Sequence, residues 1–452
     1  MPDTSAFKAY DIRGRVGDQL DEAFAFALGF AVAEVLEAEH VVVGRDVRPS
    51  SQALSHALMQ GIAAFGADVS DLGLCGTEEM YFGTDHLGAG AGIMVTASHN
   101  PIGDNGFKMV GPGARPLSDE EFQTIKSATA DGSLHTSGKR GKVDGVNLRD
   151  AFVERVLTMT DTSELAPMPM VLNAGHGVAG PMVDALLAKL PTGRVERIGF
   201  DPDQTFPLGI PNPLIPANRR VTIDAVKSNG AAFGAAWDGD ADRCFFFDET
   251  GAFIDGEYVV ALIAKAMLDA EPGATIVHDP RVVLNTIATV EASGGTAVAA
   301  PTGHAFLKAA LRKSGAIYGG EMSAHHYFRD FMYCDSGMIP WLLIWSLVSK
   351  TQGGLSALVA DMRAAFPSSG EINFRVEDAM AIMRAIEARY APEAKSIDRL
   401  DGLSVELPEW RFNLRSSNTE PLLRLNVEAR GRADLVAEKV AELSALIGGT
   451  SA

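Results

Sequence analysis

“HVVVGRDVRPSSQALSHALMQGIAAFGADVSDLGL” (40–74) opens with a run of branched apolar residues and breaks at a charged, proline-containing turn. Apolar residues then recur at helical spacing up to a glycine, and “ADVSDLGL” (67–74) reads as a second strand. Strand, helix and strand in that order make one unit of an α/β layer with parallel strands. The order returns twice. “MVLNAGHGVAG” (170–180) leads through “GPMVDALLAKL” to “RVERIGF”, and “TIVHDPRVV” (275–283) leads to “GTAVAAP”. From about residue 367 the pattern changes. Short strands “EINFRV”, “LSVEL”, “WRFNLRS” and “LLRLNVEA” are mixed with helices “AMAIMRAIEARYA” and “ADLVAEKVAELSALI”. The expected fold is α/β, three similar domains with mixed, mostly parallel sheets, followed by a smaller C-terminal α+β domain. The expected borders are 1–148, 149–253, 254–366 and 367–452.

The 452 residues exceed what one hydrophobic core usually serves. Apolar residues form 46% and charged residues 21%, a globular balance. With 58 acidic against 39 basic residues the formal charge is −19 and the pI near 5.0. Such a surface argues against nucleic acid as partner, and an anionic substrate would need locally gathered basic groups. Cys75, Cys244 and Cys334 are far apart, show no zinc or redox spacing and suit a reducing compartment. The start “MPDTSAFKAYDIRG” lacks a signal-peptide pattern, and the apolar run “PWLLIWSLV” is too short for a membrane span. A cytoplasmic protein is expected, with no membrane, nucleic-acid or obligatory protein partner.

“WDGDADRCFFFDETG” (237–251) alternates Asp238, Asp240 and Asp242 with small residues, so the backbone can curl and the carboxylates converge. Crowded carboxylates repel one another unless a hard divalent cation lies among them. An EF-hand calcium loop would find Glu249 at its twelfth position. It fails because Arg243 stands where glycine is needed and strands flank the loop, which favours Mg²⁺. “MVTASHNPIGDNGFKMVG” (94–111) sets Ser98 beside His99 and Asn100, with Lys108 beyond. A lone serine there would be a cap or turn residue, and the G-x-S-x-G elbow of a hydrolase is missing. The segment suits a serine that carries phosphate, with a cation for the phosphate oxygens and Lys108 and His99 for charge.

“GGEMSAHHYFRD” (319–330) places Glu321 and Ser323 two apart, able to hold neighbouring sugar hydroxyls, with His325 and His326 beside them. Histidine can move a proton near neutral pH, although a capped helix entry explains the same residues. “RSSNTEP” (415–421), with Arg424 beyond, is a turn whose arginines suit a phosphate dianion. “GHGVAG” (175–180) satisfies the dinucleotide fingerprint, and Asp201 lies near the end of the next strand. A nicotinamide-dependent oxidoreductase is therefore the rival from another class. Pro181 crowds the helix start, and a tight strand-to-helix turn is the simpler reading.

Taken in order, the four loops “TASHNP” (96–101), “DGDADR” (238–243), “GEMSAHH” (320–326) and “RSSNTEP” (415–421) resemble those of the α-D-phosphohexomutases. “KAYDIRG” (8–14) and “TGHAFLK” (302–308) match further family segments, so the likeness runs the length of the chain. The pattern is nearest to the family's mannose-phosphate branch. The resemblance implies a four-domain, heart-shaped fold around a central cleft. It implies reversible interconversion of mannose 6-phosphate and mannose 1-phosphate through a phosphoserine enzyme, with hexose 1,6-bisphosphate as intermediate and activator. Ser98 would carry the phosphoryl group, and Ser98, Asp238, Asp240 and Asp242 would hold one Mg²⁺ per chain. Arg13, His99, Lys108 and His325 would supply proton transfer or charge. Glu321 and Ser323 would hold sugar hydroxyls, and Arg415, Ser416, Asn418 and Thr419, helped by Arg424, the phosphate that is not reacting. Tyr10, Arg243, His304 and His325 would complete the phosphosugar contacts. Glucose phosphates, alone or beside mannose phosphates, are the alternative within the family. A glucosamine-phosphate mutase is disfavoured, because such chains tend to have Gln where Met322 stands. Ala324 departs from a glycine common in the sugar loop, His326 adds a second histidine, and Asn173 replaces an acid.

Overall fold

A computed structural model of the chain describes residues 3–132, 138–416, 422–448 and 450–451. They form two units. One comprises the described residues up to Phe253 together with His325–Lys350, and the other Ile254–Ala324 and the described residues after Lys350.

The first unit holds two sheets. In the N-terminal sheet the strands run in the order Ile12–Arg15, Asp104–Val110, Ala91–Val95, His40–Arg45, Asp68–Leu74, Val143–Gly145. The quoted βαβ unit forms its centre. His40–Arg45 lies parallel to Asp68–Leu74 on one side and to Ala91–Val95 on the other. Between the first two strands runs the helix Ser51–Phe65, closed by Gly66 in the left-handed conformation. Its apolar face, Leu54, Leu58 and Ile62, joins Val41, Val43 and Ile93 in one buried core. Asp104–Val110 turns back antiparallel on Ala91–Val95, and Ile12–Arg15 pairs antiparallel with it. Arg13 and Lys108 are thereby set on adjacent strands.

The second sheet places Met170–Asn173 parallel to both Val195–Ile198 and Phe233–Trp237, and Cys244–Asp248 antiparallel to Phe233–Trp237. Each sheet thus has a parallel centre and an antiparallel edge, and each antiparallel reversal carries a polar loop. The same unit takes in the short antiparallel pair His326–Phe328 and Cys334–Asp335, then the helix Met338–Lys350. That helix carries the apolar run. Trp341 is fully buried and meets Trp237 edge to face, with ring centroids 5.8 Å apart. Glu78 accepts from the amides of Gly337 and Met338, both at 3.3 Å, and so caps this helix.

In the second unit Thr275–His278 lies parallel to Thr296–Ala299 and to Tyr318–Gly320. An antiparallel sheet follows, in the order Ser396–Asp398, Leu403–Glu406, Trp410–Ser416, Leu422–Ala429, Ser368–Arg375, Thr450–Ser451. The helices Ala379–Tyr390 and Ala433–Ile447 pack on it through Met383, Ile386, Leu435 and Leu443. No helix among the described residues is long and apolar enough to cross a membrane.

Candidate active site

Ser98 lies on the loop between Ala91–Val95 and Asp104–Val110 with φ 50°, in the left-handed region that non-glycine residues avoid. A buried scaffold holds it there. The Ser98 amide donates to Thr96 Oγ1 at 2.8 Å, and that hydroxyl donates to Asp46 at 2.7 Å. Arg48, only 2% exposed, donates to three carbonyls of the loop, Ser98 at 3.0 Å, Pro101 at 2.8 Å and Asn100 at 2.6 Å, and to that of Asp104 at the start of the next strand, at 3.0 Å. Sequence reasoning passes over Asp46 and Arg48, because backbone partners leave no side-chain signature. The available signal is a pair of opposite charges in the turn after an apolar strand.

The aspartate loop is the reversal between Phe233–Trp237 and Cys244–Asp248, which pair through Trp237 and Cys244. Gly239 packs on the serine loop so closely that an added Cβ would stand 2.4 Å from the Ser98 carbonyl oxygen. Asp238 accepts from Ser98 Oγ at 2.7 Å and from Arg243 Nε at 2.9 Å. Asp240 accepts from Thr77 Oγ1 and from Lys108 Nζ, each at 2.7 Å, and Lys108 also binds Asp242. All three carboxylates are buried, with ligand oxygens within 4.8 Å of one another. Asp240 Oδ1 and Asp242 Oδ1 are buried without a hydrogen-bond partner among the described residues. Oxygens so placed fit a hard divalent cation.

Electrostatics sort these groups. Burial raises the Asp242 carboxyl well above its usual range, and neighbouring Asp240 adds to the shift. Burial acts the same way on Asp240, but the charge and hydrogen bond of Lys108 outweigh it and hold that carboxyl low. Burial would lower Lys108, yet Asp240 and Asp242 raise it, so the ammonium keeps its proton. His99 corrects the sequence expectation of charge. Burial, with Arg243 and Arg13 beside it, pushes the ring well below its ordinary value, so it is neutral. Its Nδ1 faces Ser98 Oγ at 2.9 Å and Arg243. Arg13 reaches the same loop through Asn100 Oδ1 at 3.1 Å. His325 pairs through its backbone with Arg243 and sets Nε2 3.6 Å from Asp242 Oδ1. Tyr10 is half-buried just ahead of Ile12–Arg15.

In the second unit the sugar-loop residues are organised by two residues the sequence analysis did not single out. Asp279 accepts from the Met322 amide at 2.8 Å and from Arg281 at 2.7 Å. Arg281 donates to Ser323 Oγ at 3.3 Å and lies 3.7 Å from Glu321, which accepts from the Gly303 amide at 3.0 Å. His304 opens the next helix, His304–Ser314. Ala324 is buried at φ 69°, a left-handed position that favours glycine. Arg415 and Arg424 sit directly opposite on adjacent strands, an arrangement of like charges that costs stability unless an anion answers it. Glu371 lies 3.5 Å from both Arg281 and Arg424, and Asp401 3.7 Å from Arg415. Burial, with Arg281 and Arg424 nearby, lowers Arg415 from its ordinary value. Ser416 ends the strand half-buried, and Asn418 and Thr419 lie outside the described residues.

The glycines of “GHGVAG” serve backbone packing. A Cβ on Gly177 would meet the Gly239 carbonyl oxygen at 2.8 Å, and one on Gly180 would meet that of Phe200 at 2.0 Å. The segment is a tight strand-to-helix turn that supports the aspartate loop, and no dinucleotide need be invoked for it.

Family models described as phosphoglucomutase/phosphomannomutase, alpha/beta/alpha domains I, II and III and C-terminal domain, match residues 4–136, 150–251, 255–366 and 371–445. The chain is 52% identical over 449 residues to “Phosphohexose mutases” of Xanthomonas campestris pv. campestris, covering 98% of this chain and 99% of that one. It is 51% identical over 454 residues to a phosphomannomutase of Salmonella typhimurium, covering 99% and 100%. A crystal structure of a phosphoglucomutase/phosphomannomutase family protein from Burkholderia thailandensis matches with a TM-score of 0.88 at 32% identity, covering all of both chains. Loops, sheets and relatives agree throughout: the chain belongs to the phosphoglucomutase/phosphomannomutase family, the α-D-phosphohexomutases, isomerases that move a phosphoryl group within a phosphosugar.

Proposed function

We propose that this chain is a phosphomannomutase, interconverting mannose 6-phosphate and mannose 1-phosphate. One observation carries the reading. Ser98 Oγ lies 2.7 Å from Asp238 in a buried cluster that also gathers Asp240, Asp242, Lys108 and Arg243. The relatives named phosphomannomutase at 46–51% identity support mannose as the sugar. The geometry supports the phosphoryl step.

In that step the phosphorylated Ser98 gives its phosphoryl group to the free hydroxyl of the sugar. The bond from Ser98 Oγ to phosphorus breaks, a sugar oxygen–phosphorus bond forms, and the hydroxyl proton passes to His325, since Lys108 is held protonated by its two aspartates and Arg13, as an arginine, keeps its proton. The product is hexose 1,6-bisphosphate. After it turns end for end, its other phosphoryl group returns to Ser98, which explains why added bisphosphate would activate the enzyme. Asp238, Asp240, Asp242 and the Ser98 oxygens would hold Mg²⁺, which when bound absorbs charge on the departing serine oxygen. Lys108, held protonated by its two aspartates, balances the phosphoryl oxygens together with Arg13 and Arg243. Neutral His99 orients Ser98 Oγ. Glu321 and Ser323 take sugar hydroxyls. Arg415, Ser416, Asn418 and Thr419, with Arg424, take the phosphate that is not reacting, and Tyr10 and His304 complete the contacts.

The test compares turnover of mannose 1-phosphate and glucose 1-phosphate with added bisphosphate. Ser98→Ala should lose at least about 1,000-fold, equivalent to about 4 kcal/mol of barrier. Equal rates on both sugars would replace the mannose assignment with dual specificity. Turnover that survives in Ser98→Ala would overturn the serine mechanism.

A further inference from the structure

A second group of metal-binding character adjoins the aspartate cluster and adds to it Asp335, which the phosphoryl step leaves unexplained. The ligand atoms of Asp242, His325 and Asp335 lie within 4.8 Å of one another. His325 Nε2 is 3.6 Å from Asp242 Oδ1 and 4.0 Å from Asp335 Oδ2. The two aspartate side chains are each 1% exposed and that of His325 is 19% exposed, so the group is closed on the protein side and approachable through the imidazole.

Backbone pairing fixes all three. Arg243, next to Asp242, bridges to His325, and Tyr327 pairs with Asp335 on the short antiparallel strands. The His325 ring stacks on Tyr327, with ring centroids 6.2 Å apart and the planes 24° apart. Asp242 divides its oxygens. Oδ2 is taken by Lys108, whereas Oδ1 is buried without a hydrogen-bond partner among the described residues and faces His325.

One imidazole nitrogen and two carboxylate oxygens form a ligand set of catalytic-zinc type, with a position left open. Ligand atoms around a tetrahedral ion at ordinary bond lengths stand ~3.4 Å apart. The observed 3.6 and 4.0 Å therefore need only a small closure. Mg²⁺ prefers oxygen alone, whereas imidazole suits Zn²⁺ and its neighbours, so the chemistry of the two clusters separates the ions. We propose that Asp242, His325 and Asp335 form a second cation site, selective for a borderline transition ion such as Zn²⁺, with Asp242 Oδ1 shared as a bridging oxygen with the three-aspartate cluster. An ion there takes the His325 nitrogen that would otherwise receive the substrate proton. Occupancy is therefore inhibitory, a consequence that rests on the proton-transfer role given to His325 above.

Equilibrium dialysis of the Mg²⁺-saturated full chain against Zn²⁺ tests the site. Wild type should bind one Zn²⁺ with Mg²⁺ retained, Co²⁺ should give the visible absorption of a low-coordinate ion, and the His325 Nε2 resonance of ¹⁵N-histidine-labelled protein should shift on zinc addition. Asp335→Asn, outside the proposed catalytic set, should weaken Zn²⁺ binding at least about tenfold while Mg²⁺ binding and basal turnover stay within about twofold. Zinc that displaces Mg²⁺ one for one, an unmoved His325 resonance, or unchanged zinc affinity in Asp335→Asn would overturn the site. If Asp335→Asn does not fold, the labelled wild-type resonance decides alone. Stoichiometric binding without inhibition would uphold the site and remove His325 from proton transfer.

Discussion

Arg48 gives its hydrogens to the carbonyls of Ser98, Asn100, Pro101 and Asp104, so one side chain dictates the path of a loop it does not belong to. Lysine keeps the charge but offers donors from a single nitrogen and cannot span four acceptors. Each carbonyl left buried and unanswered costs about 1–3 kcal/mol. Arg48→Lys should therefore destabilise the protein by about 2–3 kcal/mol in denaturant titration. It should also lower kcat by roughly 100-fold with KM little changed, as a misplacement of about 1 Å does. Unaltered kcat in the folded fraction would reduce Arg48 to a structural residue. Ser98, Asp238, Asp240 and Asp242, which the structure brings together, stand out in the sequence because their chemistry resides in their side chains. Arg48 and Asp46 do not, since what they hold in the serine loop, its backbone carbonyls and the Thr96 hydroxyl, lies about 50 residues further along the chain.

Among the elements, the aspartate loop and the serine loop meet backbone to backbone at Gly239 and Ser98. Gly239→Ala would set a methyl carbon 2.4 Å from the Ser98 carbonyl, so one loop must give way. At least a tenfold loss of kcat and weaker Mg²⁺ retention are expected, measured by turnover and by dialysis. The helix Gly256–Ala270 carries a different device. Glu257 is buried beside Ser368, and burial, with Asp255 adding to it, lifts its carboxyl from 4.5 to about 8. A raised carboxyl keeps its proton in the folded chain, so its contribution is complete below about pH 4.5 and is lost as the pH climbs to about 8. Over that window stability should fall by at most about 5 kcal/mol, and Glu257→Gln should flatten the slope in urea titrations at stepped pH. The three strand–helix–strand segments were legible because periodicity marks them. The antiparallel edges were not, since Asp104–Val110 is hidden in a polar, glycine-broken segment and Cys244–Asp248 reads as a strand whose direction only pairing reveals.

Across the whole molecule, a formal charge of −19 makes any anion's approach depend on local basic groups, and the structure gathers them in two places. Lys108, Arg243 and Arg13 serve the serine loop, and Arg281, Arg415 and Arg424 the second unit. The sequence showed that phosphate chemistry required such gatherings. It did not show that Arg281 belongs to one, because “HDPRVV” reads as an ordinary strand exit. Mg²⁺ should act on the first unit alone. In hydrogen exchange, the amides of Thr77 and residues 238–243 should slow on Mg²⁺ addition, by up to about 2.7 kcal/mol at a hundredfold excess over Kd. The amides of 403–416 should not change. Protection that spreads equally to both would contradict the assignment of the ion to Asp238, Asp240 and Asp242.

His325–Lys350 belong to the first unit although some seventy residues of the second precede them, and this sets an order of events during synthesis. When the ribosome has delivered Phe253, Trp237 still lacks Trp341, and the hollow that the helix Met338–Lys350 fills is open to water. The nascent first half must wait for roughly a hundred more residues before it can close, a natural opening for a chaperone. A fragment cut after Phe253 should be recovered as aggregate, and one supplied in trans with the remainder of the chain should regain solubility.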